Sequence, residues 1–238
     1  MPPVAQDARA AAEPAGDRPT PPRGLYASVL KRAIDTLLSM VLFAALFPLM
    51  TLIWLAVRLV LGAPALHRDV RAGLHGRPIR IAKFRSMRDA RGPDGRLLPD
   101  GERLGGFGRL LRRTSLDELP QLASVVLGEM SLVGPRPLPE RYVPRYSARQ
   151  ATRLLVRPGL TGWAQIHGRN AVAWPDRLEY DAEYVETLRR PSAPLVDLWI
   201  LAVTAFQVVC QAFTGRGVTA PGSATMEEFM PADHRTPS

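Results

Sequence analysis

The chain has 238 residues, with 31 Lys or Arg against 22 Asp or Glu and a formal net charge of +9. That length suits one domain with appendages. A single cysteine, Cys210, excludes an internal disulfide, and no Cys/His cluster has zinc spacing. Between His67 and Arg113 there are 13 Lys or Arg against 5 Asp or Glu, a net +8, so nearly all the excess charge sits in one segment. Such a segment points to a polyanionic partner: nucleic acid, an anionic membrane surface or a phosphorylated substrate. The lone thiol fits a reduced, cytoplasm-facing protein.

Residues 1–24, rich in Ala, Pro, Arg and Asp without hydrophobic period, read as a disordered tail. Residues 25–62 are the main apolar feature, and Thr36 to Val57 holds 22 residues without a charge. A straight helix of that length reaches roughly 33 Å, enough to cross a bilayer core. Pro48 near its middle predicts a kink or break. Basic residues on both flanks (Lys31 and Arg32 before; Arg58, Arg68 and Arg71 after) assign both ends to the cytoplasm. A helix that enters, bends and returns satisfies both constraints; a simple span does not.

Residues 63–194 form the expected catalytic domain. Arg77 to Arg85 alternates partly and suits a strand or hairpin, with Lys83 and Arg85 toward one surface. Asp89 to Gly106 reads as a loop. Residues 107–130 read as helical, ending near Gly128. Within them stands Arg112-Arg113-Thr114-Ser115-Leu116-Asp117-Glu118-Leu119-Pro120-Gln121-Leu122. Ser115 and Glu118 have capping-box spacing, which places Asp117 in a first helical turn beside free N–H groups and the positive end of the dipole. Pro120 instead fits a helix that starts there, with the carboxylates on the entry turn. Both readings put Asp117 and Glu118 at a basic corner.

Pro135-Arg136-Pro137 holds one guanidinium on a stiff loop suited to phosphate. Residues 138–155 read as helical and polar. Arg157 to Asn170 is a loop with three glycines and hydrogen-bonding side chains, of a kind that closes over ligands. Residues 174–190 form a polar helix. In 195–214, Asp197, Thr204, Gln207 and Gln211 fall within about 80° on a helical wheel. That stripe predicts an amphipathic helix in the membrane interface or against the first helix. Residues 215–238 read as a second disordered tail. The fold class expected is α+β, mainly helical with a small β-hairpin, and membrane-associated.

Five motifs in order carry a resemblance: Lys31-Arg32-x-x-Asp35, Lys83-Phe84-Arg85-Ser86-Met87, Arg112 through Gln121, Met130 through Pro137, and Arg157 through Asn170. The chain resembles the bacterial sugar transferases, the monotopic polyprenol-phosphate phosphoglycosyl transferases, over about residues 27–215. The resemblance implies transfer of a sugar-1-phosphate from a UDP-sugar to a polyprenol phosphate, usually undecaprenyl phosphate, with release of UMP. It implies an enzyme on the cytoplasmic face of a bacterial inner membrane, in contact with its lipid, acting early in exopolysaccharide, capsule, O-antigen or glycoprotein glycan synthesis. It assigns Asp117 as nucleophile and Glu118 as a Mg²⁺ ligand, and it matches Arg112 and Arg136 to phosphate-binding arginines. Lys83, Arg85, Gln165, Arg169 and Asn170 match motif positions near the site, and Pro48 matches the proline at which the family's helix re-enters. Two departures stand out: Gly62 to Arg68 replaces the usual Gly-Pro-Val-Phe-Phe-Arg-Gln-like stretch, and Gly106 stands where an Arg is common. The chain also lacks the multi-span N-terminal domain of larger members, as expected of a minimal catalytic form.

The alternative from another class is a membrane-tethered basic binder of anionic lipid or nucleic acid. It explains the charge but not the carboxylate pair or the Pro-Arg-Pro loop, and the basic segment lacks interleaved aromatics for base stacking. Nucleic acid is therefore not an expected partner. Adjacent carboxylates on one turn are also poorly placed to flank a glycosidic bond, as a glycoside hydrolase requires.

Overall fold

The computed structural model describes residues 20–168, 172–214 and 228–230. The apolar run forms one helix, α1 (Lys31–Leu61), entered through a π-helical turn at Tyr26–Leu30. The helix continues through Pro48, so the expected break is absent. Pro48 and Ala44, whose carbonyl loses its donor, are both exposed, while packed residues continue on the opposite face. That face buries Lys31, Asp35 and Ser39, then Met50, Ile53 and Val57, with Leu42, Phe43 and Leu46 partly buried between them.

The predicted hairpin is present. Strands β1 (Leu66–Ala72) and β2 (Pro78–Phe84) pair antiparallel from Leu66↔Phe84 to Ala72↔Pro78. His67 lies opposite Lys83, which puts both on one face. Helix α2 (Gly106–Arg113) follows, then a 3-10 turn (Leu116–Gln121) and helix α3 (Leu122–Leu127), which ends at Gly128 in a left-handed conformation. The capping box does not form: Ser115 is left-handed, φ 55°, and its side chain caps nothing. Pro120 has no N–H for an i−4 bond, so the carboxylates lie on a tighter turn and the α-helix starts only at Leu122. A six-residue helix beginning after the pair contributes little dipole to Asp117.

A second, parallel pair escapes sequence reading: β3 (Ser131–Val133) with β4 (Gly159–Thr161). The strands are three residues each, too short for a period. Their glycines serve close approach. A Cβ on Gly159 would lie 2.1 Å from the Gly134 nitrogen, and one on Gly162 2.1 Å from the Gly134 oxygen. Residues 138–155, expected as a helix, fold as short turns at Glu140–Arg145, Ala148–Ala151 and Thr152–Leu155, with Pro144 interrupting. Helices α4 (Trp174–Thr187) and α5 (Ala193–Thr214) complete the order and agree with expectation. The architecture is mainly helical α+β with a small hairpin.

The main core joins Leu122, Val125, Met130, Leu132, Val133, Tyr184 and Ile200, contributed by α3, the β3 segment, α4 and α5. A second cluster packs Met50, Ile53 and Val57 on Phe84 and Leu111. Helices α1 and α5 are inside-out relative to soluble helices. The polar stripe of α5 faces protein: Asp197 and Gln211 are buried, Thr204 bonds Thr161 at 2.7 Å, and Gln207 donates to the Ile166 carbonyl at 2.9 Å. The exposed face carries Leu195, Leu198, Trp199, Phe206, Val209 and Phe213. On α1 the exposed set includes Leu37, Val41, Phe47, Leu52 and Leu59. Contiguous apolar surface of this kind marks contact with a nonaqueous phase or a partner. The helical segments Tyr26–Leu61 and Ala193–Thr214 are each long and apolar enough to cross a membrane.

Candidate active site

The 3-10 turn packs against β2 and directs Asp117 and Glu118 toward three cations from three elements. Lys83 comes from β2, Arg112 from the end of α2 and Arg136 from the loop after β3. Lys83 Nζ and Arg136 Nη2 each donate to Glu118 Oε1 at 2.6 Å. Arg112 Nε donates to Ser86 Oγ at 3.0 Å, and its charge acts on Asp117. Gly108 allows α2 to lie this close, because a Cβ there would sit 1.8 Å from the Ser86 carbonyl oxygen.

The two carboxylates differ. Burial would raise the Glu118 pKa, but Arg136 and Lys83 outweigh it and hold the group well below the usual carboxylate range. Asp117 is 9% exposed, and the paired cations go to its neighbour. Burial, then the Glu118 charge, push its pKa up to about 6, against opposing pulls from Lys83, Arg112 and Arg136. Glu118 is thus a fixed anion. Asp117 is a less solvated carboxylate left for a further electrophile or cation.

Beside Glu118 lies a cavity of about 20 Å³ lined by Arg71, Ile81, Lys83, Gln121, Arg136 and Pro137. Gln121 is 3% exposed and its amide nitrogen has no partner among the described residues; Arg71 Nε is likewise buried and unpartnered. Room for about one water-sized oxygen, lined mainly by donors, suits an anionic oxygen.

These observations describe a buried carboxylate pair among cations, beside a donor-lined cavity that suits an anionic oxygen. The family description "Bacterial sugar transferase" matches residues 26–211. The chain belongs to the bacterial sugar transferase family. It is 42% identical over 201 residues to the "Uncharacterized sugar transferase EpsL" of Bacillus subtilis (strain 168), covering 84% of this chain and 96% of that protein. It is 41% identical over 167 residues to the "UDP-glucose:undecaprenyl-phosphate glucose-1-phosphate transferase" of Caulobacter vibrioides, covering 66% of this chain and 62% of the relative. The "Undecaprenyl-phosphate galactose phosphotransferase" of Salmonella typhimurium is 37% identical over 174 residues, 66% of this chain and 36% of the relative. The chain therefore matches less than two thirds of the length of the latter two.

In this sugar transferase, the structure brings together Asp117, Glu118, Lys83, Arg112 and Arg136. Arg85 bonds the end of α1. Its guanidinium donates to the carbonyls of Leu61, Gly62 and Ala63 at the end of α1, at 2.9 Å for Ala63. Those carbonyls have no intrahelical donor, so a cation is held there. Gln165 is buried, with both side-chain polar atoms unpartnered, and it makes no hydrogen bond to the pair. Arg169 and Asn170 lie outside the described residues. Arg71 and Gln121 are the residues that sequence reasoning missed. The pairing of Arg71 with Ile79 places it on the Lys83 face of the hairpin, a placement set by the strand register.

The family implies a divalent metal, and the donor set fits one. Two adjacent carboxylates supply hard oxygens, and Mg²⁺ is commonly held by one or two carboxylates plus substrate phosphates. No cluster of three His, Cys, Asp or Glu exists among the described residues, so substrate and solvent would complete the shell. Glu118 stays ionised and its Oε2 lies outside the two ion pairs on Oε1, so it could hold such an ion.

Proposed function

We propose that the protein transfers a sugar-1-phosphate from a UDP-sugar to a polyprenol phosphate, undecaprenyl phosphate in bacteria, and releases UMP. The observation that carries this is the asymmetry of the pair. Glu118 is clamped by Lys83 and Arg136, while the buried Asp117 beside it stays outside those ion pairs. In the first step an Asp117 oxygen bonds the β-phosphorus, the bond from that phosphorus to the bridging oxygen breaks, and UMP leaves with the electron pair. In the second, a phosphate oxygen of the polyprenol phosphate bonds the same phosphorus and Asp117 departs as carboxylate. Lys83, Arg112 and Arg136 offset the repulsion between carboxylate and diphosphate. The unpartnered donors of Gln121 and Arg71 suit one non-bridging phosphate oxygen. Mg²⁺, held through Glu118, would neutralise diphosphate charge.

We also infer attachment to the cytoplasmic face of the inner membrane through the apolar faces of α1 and α5. Both ends of α1 are tied to one domain. Lys31 pairs with Asp197 at 2.7 Å at one end, and Val57 packs in the cluster holding Phe84 and Leu111 at the other. A straight helix from Lys31 to Leu61 would reach about 45 Å, longer than a hydrocarbon core. A domain touching both ends supports an interfacial or re-entrant placement over a simple span. The alternative of a basic binder loses weight, because arginines of the basic segment are used internally: Arg85 on α1, Arg103 on Asp100 and the Arg88 carbonyl, and Arg109 on the Leu104 carbonyl.

The deciding assay measures UMP release from a panel of UDP-sugars with undecaprenyl phosphate and Mg²⁺. Release that requires the lipid phosphate and is lost in Asp117→Asn supports the reading; full turnover by that variant refutes the covalent route. Single cysteines at Ser28 and Ala63 in a Cys210→Ala background test topology. Both are expected to be labelled from the cytoplasm only, and periplasmic labelling at position 63 refutes the placement.

A further inference from the structure

Sequence reading assigned 215–238 to a disordered tail, yet within it residues 228–230 pack against the domain. Phe229 is 4% exposed. Its ring lies 5.7 Å from Tyr142, 5.5 Å from Trp174 and 6.0 Å from Tyr146. Leu138 and Leu178 belong to the same apolar cluster. Both backbone groups of Phe229 are held: its N–H donates to Tyr142 Oη at 3.2 Å, and Arg145 Nη1 donates to its carbonyl at 2.6 Å. Arg145 also meets Glu228 Oε1 at 3.0 Å, with Arg141 Nε at 3.4 Å from the same oxygen. Nonspecific collapse of an aromatic residue does not require two satisfied backbone groups and a two-arginine clamp on the preceding carboxylate.

The groove leads to the site through named contacts. Arg153 Nη1 donates to Tyr146 Oη at 2.8 Å, and Arg153 Nη2 donates to the Arg136 carbonyl at 2.6 Å. Arg153 is itself fixed by buried Asp181 at 2.8 Å. On the other side, the Leu138 carbonyl accepts from the Ala72 amide at 2.9 Å, which ties the loop to β1. Arg136 then reaches Glu118. The loop that presents Arg136 is held by β1 on one side and by the Tyr146–Arg153 contact, backed by Phe229, on the other.

We propose that Phe229 is a positioning residue, and that segment 228–230 is a strap whose seating in the Tyr142–Tyr146–Trp174 groove keeps Arg136 on Glu118. The kinetic part rests on the sugar-phosphate transfer proposed above; the binding part does not. The test uses full-length Phe229→Ala in nanodiscs and a synthetic peptide of residues 226–232, MEEFMPA, with MEEAMPA as control. The variant is expected to lose on the order of 10-fold to 10²-fold in kcat, the range for a misplaced catalytic group, with a smaller change in donor KM. MEEFMPA restores kcat saturably and MEEAMPA does not. Independently of turnover, fluorescein-labelled MEEFMPA binds the variant by polarisation and slows hydrogen exchange across 136–146. Full kcat in Phe229→Ala, a rise in kcat, or loss that bound peptide does not restore each overturns the proposal, as does failure of the peptide to bind. If the wild type releases no UMP, the transfer reading fails, while polarisation and exchange still decide whether the strap holds the loop.

Discussion

Two clusters in this protein use the same chemistry to opposite ends. At the start of α1, Lys31 contacts Asp197 at 2.7 Å and Asp35 at 3.5 Å. Tyr26 and Tyr184 donate to Asp197 at 2.6 and 2.8 Å, and Ser131 donates to Asp35. Each carboxylate there is engaged, and the network locks α1, β3, α4 and α5 together. At the 3-10 turn, Glu118 takes both clamping cations, Asp117 lies outside those ion pairs, and Gln121 keeps an unpartnered donor. A saturated cluster stabilises a fold; an unsaturated one holds unmet interactions for a ligand.

Substitutions break or sharpen that contrast. Asp117→Asn is expected to reduce UMP release to background while Tm stays the same or rises, since burial disfavours the charge that the change removes. Arg136→Ala is expected to lower kcat by about 10²- to 10³-fold, as for loss of one transition-state donor, with a fall in Tm because the buried Glu118 keeps only Lys83. Asp197→Ala reverses the pattern. It removes the closer of the two carboxylates that hold the buried Lys31 and leaves only Asp35 at 3.5 Å, and chemical unfolding is expected to show a loss of roughly 3 kcal/mol. Tyr184→Phe removes one hydroxyl shared between Asp197 and the Val133 carbonyl, and is expected to cost about 1–2 kcal/mol in the same measurement. Gln121→Met is the mildest. Stability is expected within about 1 kcal/mol of wild type, because an unsatisfied amide is replaced by an apolar side chain of similar shape, while KM for the UDP-sugar rises. A stability loss of Asp197 size in Asp117→Asn would erase the distinction.

Much of this was legible before the coordinates. The uncharged run gave α1, the alternation around Lys83 gave the hairpin, and Gly128 marked the end of α3. The carboxylate pair and Arg136 were identifiable as residues, since charge next to proline and arginine is a local signal. What stayed hidden is nonlocal. Asp197 belonged to a stripe read as facing the membrane interface or the first helix, and the choice between the two rests on Lys31, 166 positions away. Arg85 matched a motif position near the site, and strand alternation does not reveal its bonds to the carbonyls at the end of α1. The parallel β3–β4 pair had no period to detect, and its glycines resembled those of a ligand loop. Phe229 stood alone in a polar tail, and no window of neighbours distinguishes a lone aromatic anchor from a solvated one.

The grip of α1 on α3 has a mechanical consequence. Arg32 Nη1 and Nη2 donate to the carbonyls of Val125 and Val126 at 2.7 and 3.1 Å, and Arg157 donates to the Gly128 carbonyl at 2.9 Å. Helix α1, through Arg32, therefore holds the far end of the same short helix that follows the carboxylate pair. On the membrane placement proposed above, the carboxylate pair would sit at a fixed altitude above the lipid, set by the Arg32 clasp rather than by a hinge. A lipid-phosphate acceptor would then have to float its phosphate to that altitude, and the depth of its headgroup would act as a selection rule that no side chain in the pocket needs to enforce.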